Sequence, residues 1–246
     1  MKGPRQRGSH ASACRITGYR RRAGTIGGVC TPRPIDTSTW ARHAHFEHYR
    51  NRRPTYYAIT VELDVTALVA RLRATGRKTY PAQIWALATV VNRHEEFRMT
   101  VDEQGRPAIW DVVDPSFTVF NPGRETFANV RAPFDPDFTS FHPAAAALIA
   151  EHRHATTPFP QGFPPPSNLF DISSMPWTSF TGFTLHVESG WDHFAPAFTL
   201  GRYLERGDRT VMPLALQIHH SAADGFHTAR LLNELQELVG SPDWLT

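Results

Sequence analysis

Residues 218–227, with the sequence IHHSAADGFH, hold the side chains best suited to chemistry in this chain. A histidine pair follows an apolar stretch, and Asp224-Gly225 comes four residues after the second histidine. Imidazole titrates near neutral pH, so a histidine at a strand end is suited to act as a general base. Adjacent strand residues point to opposite faces of a sheet, so we expect His219 and His220 to have different roles.

Structural roles are the alternatives for the same residues. A histidine on a strand is often a buried, hydrogen-bonded core residue, and Asp224 is well placed to cap a helix. His219, His220 and His227 make a poor metal site, because neighbouring strand residues diverge and no thiol or carboxylate completes a ligand set. We therefore expect no metal here.

The flanking pattern indicates how these residues are positioned. Residues 211–218 form an apolar, partly β-branched run that predicts a buried strand. From Phe226 to Val239, apolar residues recur at helical spacing, with Gly240 as a stop signal. Asp224-Gly225 is then the turn between strand and helix.

Other segments give a mixture of helices and strands without a strict alternation. Strands are predicted for residues 56–65, 116–120, 172–187 and 194–203, and a hairpin for 97–101 with 107–110. A cluster at 35–39 predicts the start of a first helix. Further helices are predicted for 65–72, which Gly76 ends, and for 81–91 and 143–152. Residues 159–166 are Pro-rich and predict a loop. No glycine-rich nucleotide cradle follows a strand, so the pattern favours a sheet packed against helices, mostly on one face.

Composition is that of a soluble globular protein. The chain has 246 residues, 41% hydrophobic and 20% charged, which suits one large domain. No apolar run is long enough to span a bilayer, and no signal-peptide pattern opens the chain, so we expect no membrane association and a cytoplasmic location. The two cysteines are Cys14 and Cys30, so residues 34–246 contain no thiol nucleophile.

The basic charge is confined to the N-terminal segment. Residues 1–33 carry eight Lys or Arg and no acidic residue, which leaves the remainder with a net charge of −5. We interpret 1–33 as a basic, disordered extension and 34–246 as a single domain. A role in nucleic-acid binding is only weakly supported, since Tyr19 is the single aromatic residue among the cations of this tail.

Several ordered motifs carry a resemblance to a known family. They are WAR (40–42), HFEHYR (45–50), KTYP (78–81), EFRM (96–99), FTVF (117–120), ETF (125–127), FPQG (159–162), ISSMPW (172–177), FAP (194–196) and the HHxxxDGFH run. From about Ile35 to its C-terminus the chain resembles the chloramphenicol O-acetyltransferase family, type A. The resemblance implies an α/β two-layer sandwich, a mixed β-sheet packed with helices as in CoA-dependent acyltransferases, and a homotrimer with active sites at subunit interfaces.

The resemblance also implies roles for particular residues. His220 matches the general base that takes the proton of the 3-hydroxyl of chloramphenicol, and the oxygen attacks acetyl-CoA directly, without an acyl-enzyme. Ser173 matches a donor to the tetrahedral oxyanion, and Thr199 matches a threonine that holds a transition-state water. Asp224 matches an aspartate paired with an arginine, here Arg42, in a structural role.

Binding residues follow from the same resemblance. The implied acceptor pocket consists of Tyr49, Tyr57, Thr118, Phe127, Phe159, Leu185 and Val187. Acetyl-CoA is the implied co-substrate, with no permanently bound cofactor, and its implied contacts are Lys78, Tyr80, Trp177, Arg202 and Tyr203. Each aromatic residue is equally suited to an ordinary core, and Lys78 and Arg202 to solvated surface positions.

The chain departs from the family pattern at His48, Arg53, Thr55 and Ala223. None of these positions removes a catalytic group, but they leave acceptor preference open. Two other functions stay open: an acyltransferase of this fold acting on another hydroxyl or a lipoyl thiol, and a phenicol-binding protein without catalysis. Retention of His220, Ser173 and Thr199 argues against the binding protein.

Overall fold

The computed structural model describes residues 31–185 and 192–246, and the backbone of two short segments, Ala13–Cys14 (β1) and Val29–Cys30 (β2), which pair in parallel. The interpretation of residues 1–33 as a disordered extension thus falls almost wholly outside the described residues.

The described part folds into strands and helices in mixed order. The helices are α1 His43–Glu47, continued by a π-helical turn at His48–Arg52, α2 Thr66–Thr75, α3 Thr79–Arg93, α4 Phe138–His152 and α5 Gly225–Gly240, with a 3-10 turn at Glu95–Arg98. The strands are β3 Arg33–Pro34, β4 Tyr56–Asp64, β5 Met99–Val101, β6 Pro107–Ile109, β7 Asp114–Asn121, β8 Thr126–Arg131, β9 Leu169–Met175, β10 Ala197–Gly201, β11 Leu204–Arg206 and β12 Arg209–His219.

A mixed seven-stranded sheet is the framework of the domain. Strand β12 pairs antiparallel with β4 along one side and with β10 and β11. Strands β10, β9 and β7 run parallel to one another, and β8 closes the order as an antiparallel edge. Strands β3, β6 and β5 form a separate three-stranded sheet.

The two faces of the large sheet differ in chemistry. Phe117, Ile172 and Phe198 point to one face, where they are almost fully buried. Helices α2, α3 and α5 cover this face, because Leu68, Ala86 and Leu235 meet Leu200 of β10 and Met212 of β12 there. The opposite face presents alternate residues of the same strands, and these are largely polar: Ser116, Thr118, Asp171, Ser173 and Thr199. This is the two-layer α/β arrangement predicted from the sequence.

Helix α4 begins earlier than the predicted start at Pro143. Asp137 caps it by accepting a hydrogen bond from the Thr139 amide, at 3.0 Å, and the helix starts at Phe138. Phe138 is buried against Trp85 and Trp244, so apolar packing extends the helix ahead of the proline. Pro143 lies inside the helix, and the prediction that it marks the start was wrong.

Several strand predictions were also wrong at their ends. Phe97 belongs to the 3-10 turn, and β5 starts only at Met99. The predicted strand 172–187 is β9, which ends at Met175 before Pro176; residues 176–185 are turn and loop, and 186–187 lie outside the described residues. The predicted strand 194–203 is limited to β10, and the sequence pattern missed β8.

Candidate active site

His220 is the first residue after β12 and is held by its backbone and its ring. Its amide donates a hydrogen bond to the Thr55 carbonyl at 2.8 Å. Its Nδ1 lies 3.3 Å from the Ala223 carbonyl oxygen. The ring of Tyr49 stacks on the imidazole at 3.9 Å between centroids, and Tyr57 contacts it edge-on at 5.1 Å. The imidazole is therefore held by two aromatic rings and along its Nδ1 edge.

His219 points away from this position and is buried. Its Nδ1 accepts a hydrogen bond from the Ser221 amide at 3.1 Å and lies 2.6 Å from the Ser221 hydroxyl. Burial lowers the pKa of His219 to about 4, so the ring is neutral at physiological pH. The two histidines have different roles, as strand alternation predicts.

The turn after His220 ends in a strong helix start. Asp224 is the N-cap of α5, and its Oδ1 accepts a hydrogen bond from the Phe226 amide at 3.0 Å. His227 lies three residues into the helix, with Nδ1 3.3 Å from the Asp224 amide and 2.8 Å from its Oδ1, the spacing of a capping box. Ala222 and Ala223 are fully buried, so the turn packs against the core while His220 stays accessible.

Arg42 and Asp224 form the ion pair that the resemblance implies. Nη1 of Arg42 donates to Oδ2 of Asp224, and both side chains are partly buried. Partial burial acts to raise the pKa of Asp224, but the hydrogen bond from Arg42 and the charges of His227 and Arg42 outweigh it and lower the pKa to about 2. Arg42 precedes α1, so this pair ties the segment that carries Tyr49 to the turn that carries His220.

Ser173 and Thr199 are neighbours on the polar face of the sheet. They are register partners on the parallel strands β9 and β10. Thr118 lies on the same face of β7, because β7 and β9 pair Ser116 with Asp171, two residues before Thr118 and Ser173. Three hydroxyl groups therefore project from adjacent strands.

His220 lies on the other side of the sheet within the same chain. Ala197 pairs with Gln217 and Thr199 with Ala215, which puts Ser173 and Thr199 on the face of odd-numbered β12 residues. His220 continues the face of Ile218, and it contacts Tyr57, the β4 partner of Ile218. One chain does not bring the imidazole and the hydroxyl groups together.

A pocket of about 440 Å³ lies on the polar side, near the start of β9. Phe159, one of the predicted acceptor residues, lines it together with Ser116 and Asp171. Asp171 is two residues before Ser173 on β9, so this pocket shares a strand face with the predicted oxyanion donor. His193 also lines the pocket, and its Nε2 lies 3.1 Å from the Asp171 carboxylate. Asp171 and His193 lie just outside the motifs ISSMPW (172–177) and FAP (194–196), so neither was predicted as a site residue.

The remaining predicted acceptor residues are scattered over the surface of the chain. Tyr49 and Tyr57 lie beside His220. Phe127 and Leu185 are exposed, at 57% and 49% of their full surface. Val187 lies outside the described residues.

The predicted CoA-binding residues fall into three places. Lys78 is exposed and lines an open groove of about 650 Å³ with Arg77. Trp177 is exposed and packs on Phe120, and its carbonyl oxygen lies 3.4 Å from Nη1 of Arg202. Tyr80 and Tyr203 lie deeper in the fold: burial raises the pKa of both phenols, that of Tyr203 to about 12, and the Tyr203 hydroxyl accepts a hydrogen bond from Gln83.

Two of the four departures from the family pattern, Thr55 and Ala223, contact His220. Thr55 contributes the carbonyl that receives the His220 amide, and Ala223 contributes the carbonyl near Nδ1. His48 contacts the Tyr49 ring edge-on, and Arg53 is exposed.

No group of three or more His, Cys, Asp or Glu residues in the described ranges is arranged to hold a metal ion. Likewise, no helix of those ranges is long and apolar enough to cross a membrane.

Comparisons with known proteins converge on one family. The family model described as chloramphenicol acetyltransferase matches residues 32–236. A chloramphenicol acetyltransferase of Streptomyces acrimycini is 66% identical over 217 residues, 88% of this chain and 98% of the relative. Chloramphenicol acetyltransferase 2 of Escherichia coli is 42% identical over 202 residues, 82% of this chain and 94% of the relative.

Solved structures agree with the sequence relatives and confirm the predicted fold class. A chloramphenicol acetyltransferase structure matches with a TM-score of 0.75, at 25% identity, over 85% of this chain and 100% of the solved one. A dihydrolipoamide acetyltransferase of Azotobacter vinelandii, at 17% identity, shares the fold alone, with a TM-score of 0.62 over 94% of this chain and 99% of that one. The chain belongs to the chloramphenicol acetyltransferase family and is an acyltransferase.

Proposed function

We propose that this enzyme transfers the acetyl group of acetyl-CoA to the 3-hydroxyl of chloramphenicol and so inactivates the antibiotic. His220 is the general base in this proposal. The geometry of its ring is the observation that carries it: an imidazole at a strand end, stacked on Tyr49, with Nδ1 at 3.3 Å from the Ala223 carbonyl. A neutral ring that donates from Nδ1 leaves Nε2 free to accept a proton.

The reaction proceeds by direct attack in a ternary complex. Nε2 of His220 takes the proton of the 3-hydroxyl, and the oxygen attacks the thioester carbonyl. The tetrahedral intermediate then collapses, the C–S bond breaks, and the thiolate of CoA receives the proton from His220. No acyl-enzyme is needed, and residues 34–246 contain no cysteine to carry one.

Ser173 and Thr199 act on the tetrahedral intermediate. The Ser173 hydroxyl donates a hydrogen bond to the oxyanion, and Thr199 holds a water molecule in the transition state. Their pairing in register on β9 and β10 supports a joint role, since rigid strands hold both hydroxyls with little freedom. Loss of one such donor costs about 100- to 1,000-fold in kcat.

The working enzyme is a homotrimer in which each active site lies between two subunits. The opposite sheet faces of His220 and Ser173 support this, because a second chain is needed to bring the two groups together. The exposed apolar side chains Phe127 and Leu185 also favour a covering subunit. Phe159, Thr118 and Ser173 of one subunit then face His220, Tyr49 and Tyr57 of its neighbour.

Acetyl-CoA is a co-substrate, not a resident cofactor. Lys78, with Arg77 beside it in the open groove, and Arg202 supply cations for phosphate groups. Trp177 offers an exposed aromatic surface at 59% of its full area. We propose a cytoplasmic location, because acetyl-CoA is available there.

A thiol-release assay tests the proposal. Free CoA is followed from acetyl-CoA with chloramphenicol as the acceptor, in the wild type and in His220→Ala. Loss of the base is expected to lower kcat by about 100- to 10,000-fold while chloramphenicol binding is retained. His45→Ala, at an exposed position of α1, is the control and keeps wild-type turnover.

Two results would contradict the proposal in different ways. Near-normal turnover in His220→Ala would remove the general-base assignment. CoA release with another alcohol, but none with chloramphenicol, would show that the fold is used on a different acceptor.

A further inference from the structure

A row of polar contacts continues beyond the ion pair of Arg42 and Asp224. Nδ1 of His227 lies 2.8 Å from Oδ1 of Asp224, and its Nε2 lies 3.4 Å from Oε1 of Glu96. The other oxygen of Glu96 accepts a hydrogen bond from Arg230 at 3.1 Å. His227 is only 12% exposed, so the ring is enclosed between two carboxylates that each have an arginine of their own.

The contacts divide the Asp224 carboxylate into two halves. Oδ2 receives Arg42, whereas Oδ1 receives the Phe226 amide and faces His227. The rotation of this carboxylate is therefore fixed from two sides. Without His227, Oδ1 would keep only the backbone amide, and the side chain would be held mainly by Arg42.

This arrangement reaches His220 through the backbone. Ala223 immediately precedes Asp224, and its carbonyl oxygen lies near Nδ1 of His220. A shift of Asp224 moves that carbonyl, and with it the only side-chain hydrogen bond of His220 found in the described part of the chain. An error of about 1 Å in the position of a catalytic group is enough to cost about 100-fold in rate.

We propose that His227 and Glu96 are positioning residues for His220. They touch neither substrate nor the reacting atoms; they hold Asp224 so that the Ala223 carbonyl stays in place against Nδ1. The inference rests on the proposed role of His220 as the general base. The competing explanation is that the two side chains only attach α5 to the 3-10 turn and thereby stabilise the fold.

The chain contains a matched control for this explanation. Nε2 of His94 lies 2.8 Å from Oε1 of Glu234, and Arg93 bonds the other oxygen of that glutamate. His94 is 16% exposed, close to the value for His227. This second histidine–glutamate–arginine group also joins α5 to the region around the 3-10 turn, but it contacts neither Asp224 nor the His220 turn.

The experiment compares His227→Gln and Glu96→Gln with His94→Gln. We expect kcat to fall about tenfold in the first two variants, with the KM of both substrates unchanged within about twofold. We expect His94→Gln to lower the melting temperature to a similar extent and to keep wild-type kcat. Equal kcat values in His227→Gln and His94→Gln would overturn the inference.

Repeating the substitution in the Asp224→Asn variant separates a positioning role from general destabilisation of the fold. In Asp224→Asn, the substitution His227→Gln is expected to lower kcat no further, because the group through which it acts is already altered. A further fall of the full size would overturn the inference. If Asp224→Asn does not fold, the kcat of Glu96→Gln tests the inference instead, because this substitution changes no atom of the His220 turn. A tenfold fall supports the positioning role, and a wild-type kcat overturns it.

A readout without turnover keeps this inference distinct from the proposed function. The ring resonances of His220, assigned with His220→Ala, are recorded by NMR in both histidine variants. We expect His227→Gln to shift or broaden them and His94→Gln to leave them unchanged; an unchanged His220 signal in His227→Gln would refute the positioning role. Absence of CoA release in the wild type would instead refute the proposed function.

Discussion

At the scale of single residues, the side-chain types predicted which residues form the candidate site, but they did not predict the contacts that hold those residues. The HHxxxDG run predicts His220 as a base and Asp224 as a cap; the structure has Asp224 at the N-cap of α5, and the role of His220 as a base stays a prediction. The two carbonyl contacts of His220, from Thr55 and Ala223, were not predictable, because they belong to backbone atoms whatever the residue type. His227 was considered only as a metal ligand, although its spacing from Asp224 fits a capping box.

The Arg42–Asp224 pair gives a residue-scale prediction with a definite pH dependence. Asp224 has a pKa of about 2, below its ordinary value of 3.8. A depressed carboxylate pKa contributes stability that is fully present above 3.8 and lost as the pH falls through 2. In Arg42→Met the pKa is expected to return toward 3.8, so the variant is less stable by up to about 1 kcal/mol at neutral pH.

Urea unfolding from about pH 6 down to about pH 2.5 measures this difference. The difference in stability between the wild type and Arg42→Met should shrink as the pH falls below 3.8 and be less than half its neutral value at about pH 2.5. Arg206→Met, which breaks an exposed pair with Glu62, serves as the control and should cost only a few tenths of a kcal/mol. A gap between wild type and Arg42→Met that stays constant with pH would exclude Asp224 as the partner that matters.

At the scale of elements, long periodic segments were predictable and short irregular ones were not. Strand β4 and helix α3 were predicted nearly in full, because their apolar patterns extend over nine and 15 residues. Strand β8 was missed because it is a short, half-exposed edge in which only three of six residues are apolar. The segment after Met175 was assigned to a strand, but Pro176 has no amide to continue the ladder and the chain leaves the sheet.

The end of β10 provides the element-scale prediction. A Cβ at Gly201 would lie 2.6 Å from Cγ of Pro213 on β12 and 2.9 Å from the Phe180 ring of the loop above. Gly201→Ala is therefore expected to force these rings apart and to cost about 1–3 kcal/mol in unfolding free energy. Thermal and chemical unfolding of the purified variant measure the change.

Gly182→Ala is the matched control, since a Cβ there meets nothing within 4 Å and lies in the same loop region. Its stability should stay within about 0.5 kcal/mol of the wild type. If both alanine variants are equally stable, the Phe180 loop can move to accommodate the added methyl group, and the predicted steric clash at Gly201 does not occur.

At the scale of the whole molecule, the two sheet faces divide the proposed chemistry. The apolar face is covered by helices and joins the core, whereas the polar face carries Ser173 and Thr199. Strand alternation allows this division to be predicted once register is known, but register is set by pairings between strands far apart in sequence, such as β4 with β12. The sequence alone therefore predicts His220 and Ser173 as site residues but does not show that they face opposite ways. The assignment to type A within the family stays a prediction.

Subunit mixing tests the proposal that each site takes His220 from one chain and Ser173 from another. His220→Ala and Ser173→Ala chains are each expected to be nearly inactive alone. After unfolding and refolding together in equal amounts, a site is intact when an intact histidine from one variant meets an intact serine from the other. Random assembly into rings makes this true for about a quarter of the sites, so about a quarter of wild-type turnover should return. Refolding each variant separately and mixing afterwards is the control and should recover nothing. If both groups acted from one chain, co-refolding would restore no activity either, and the proposal of an active site shared between subunits would have to be abandoned.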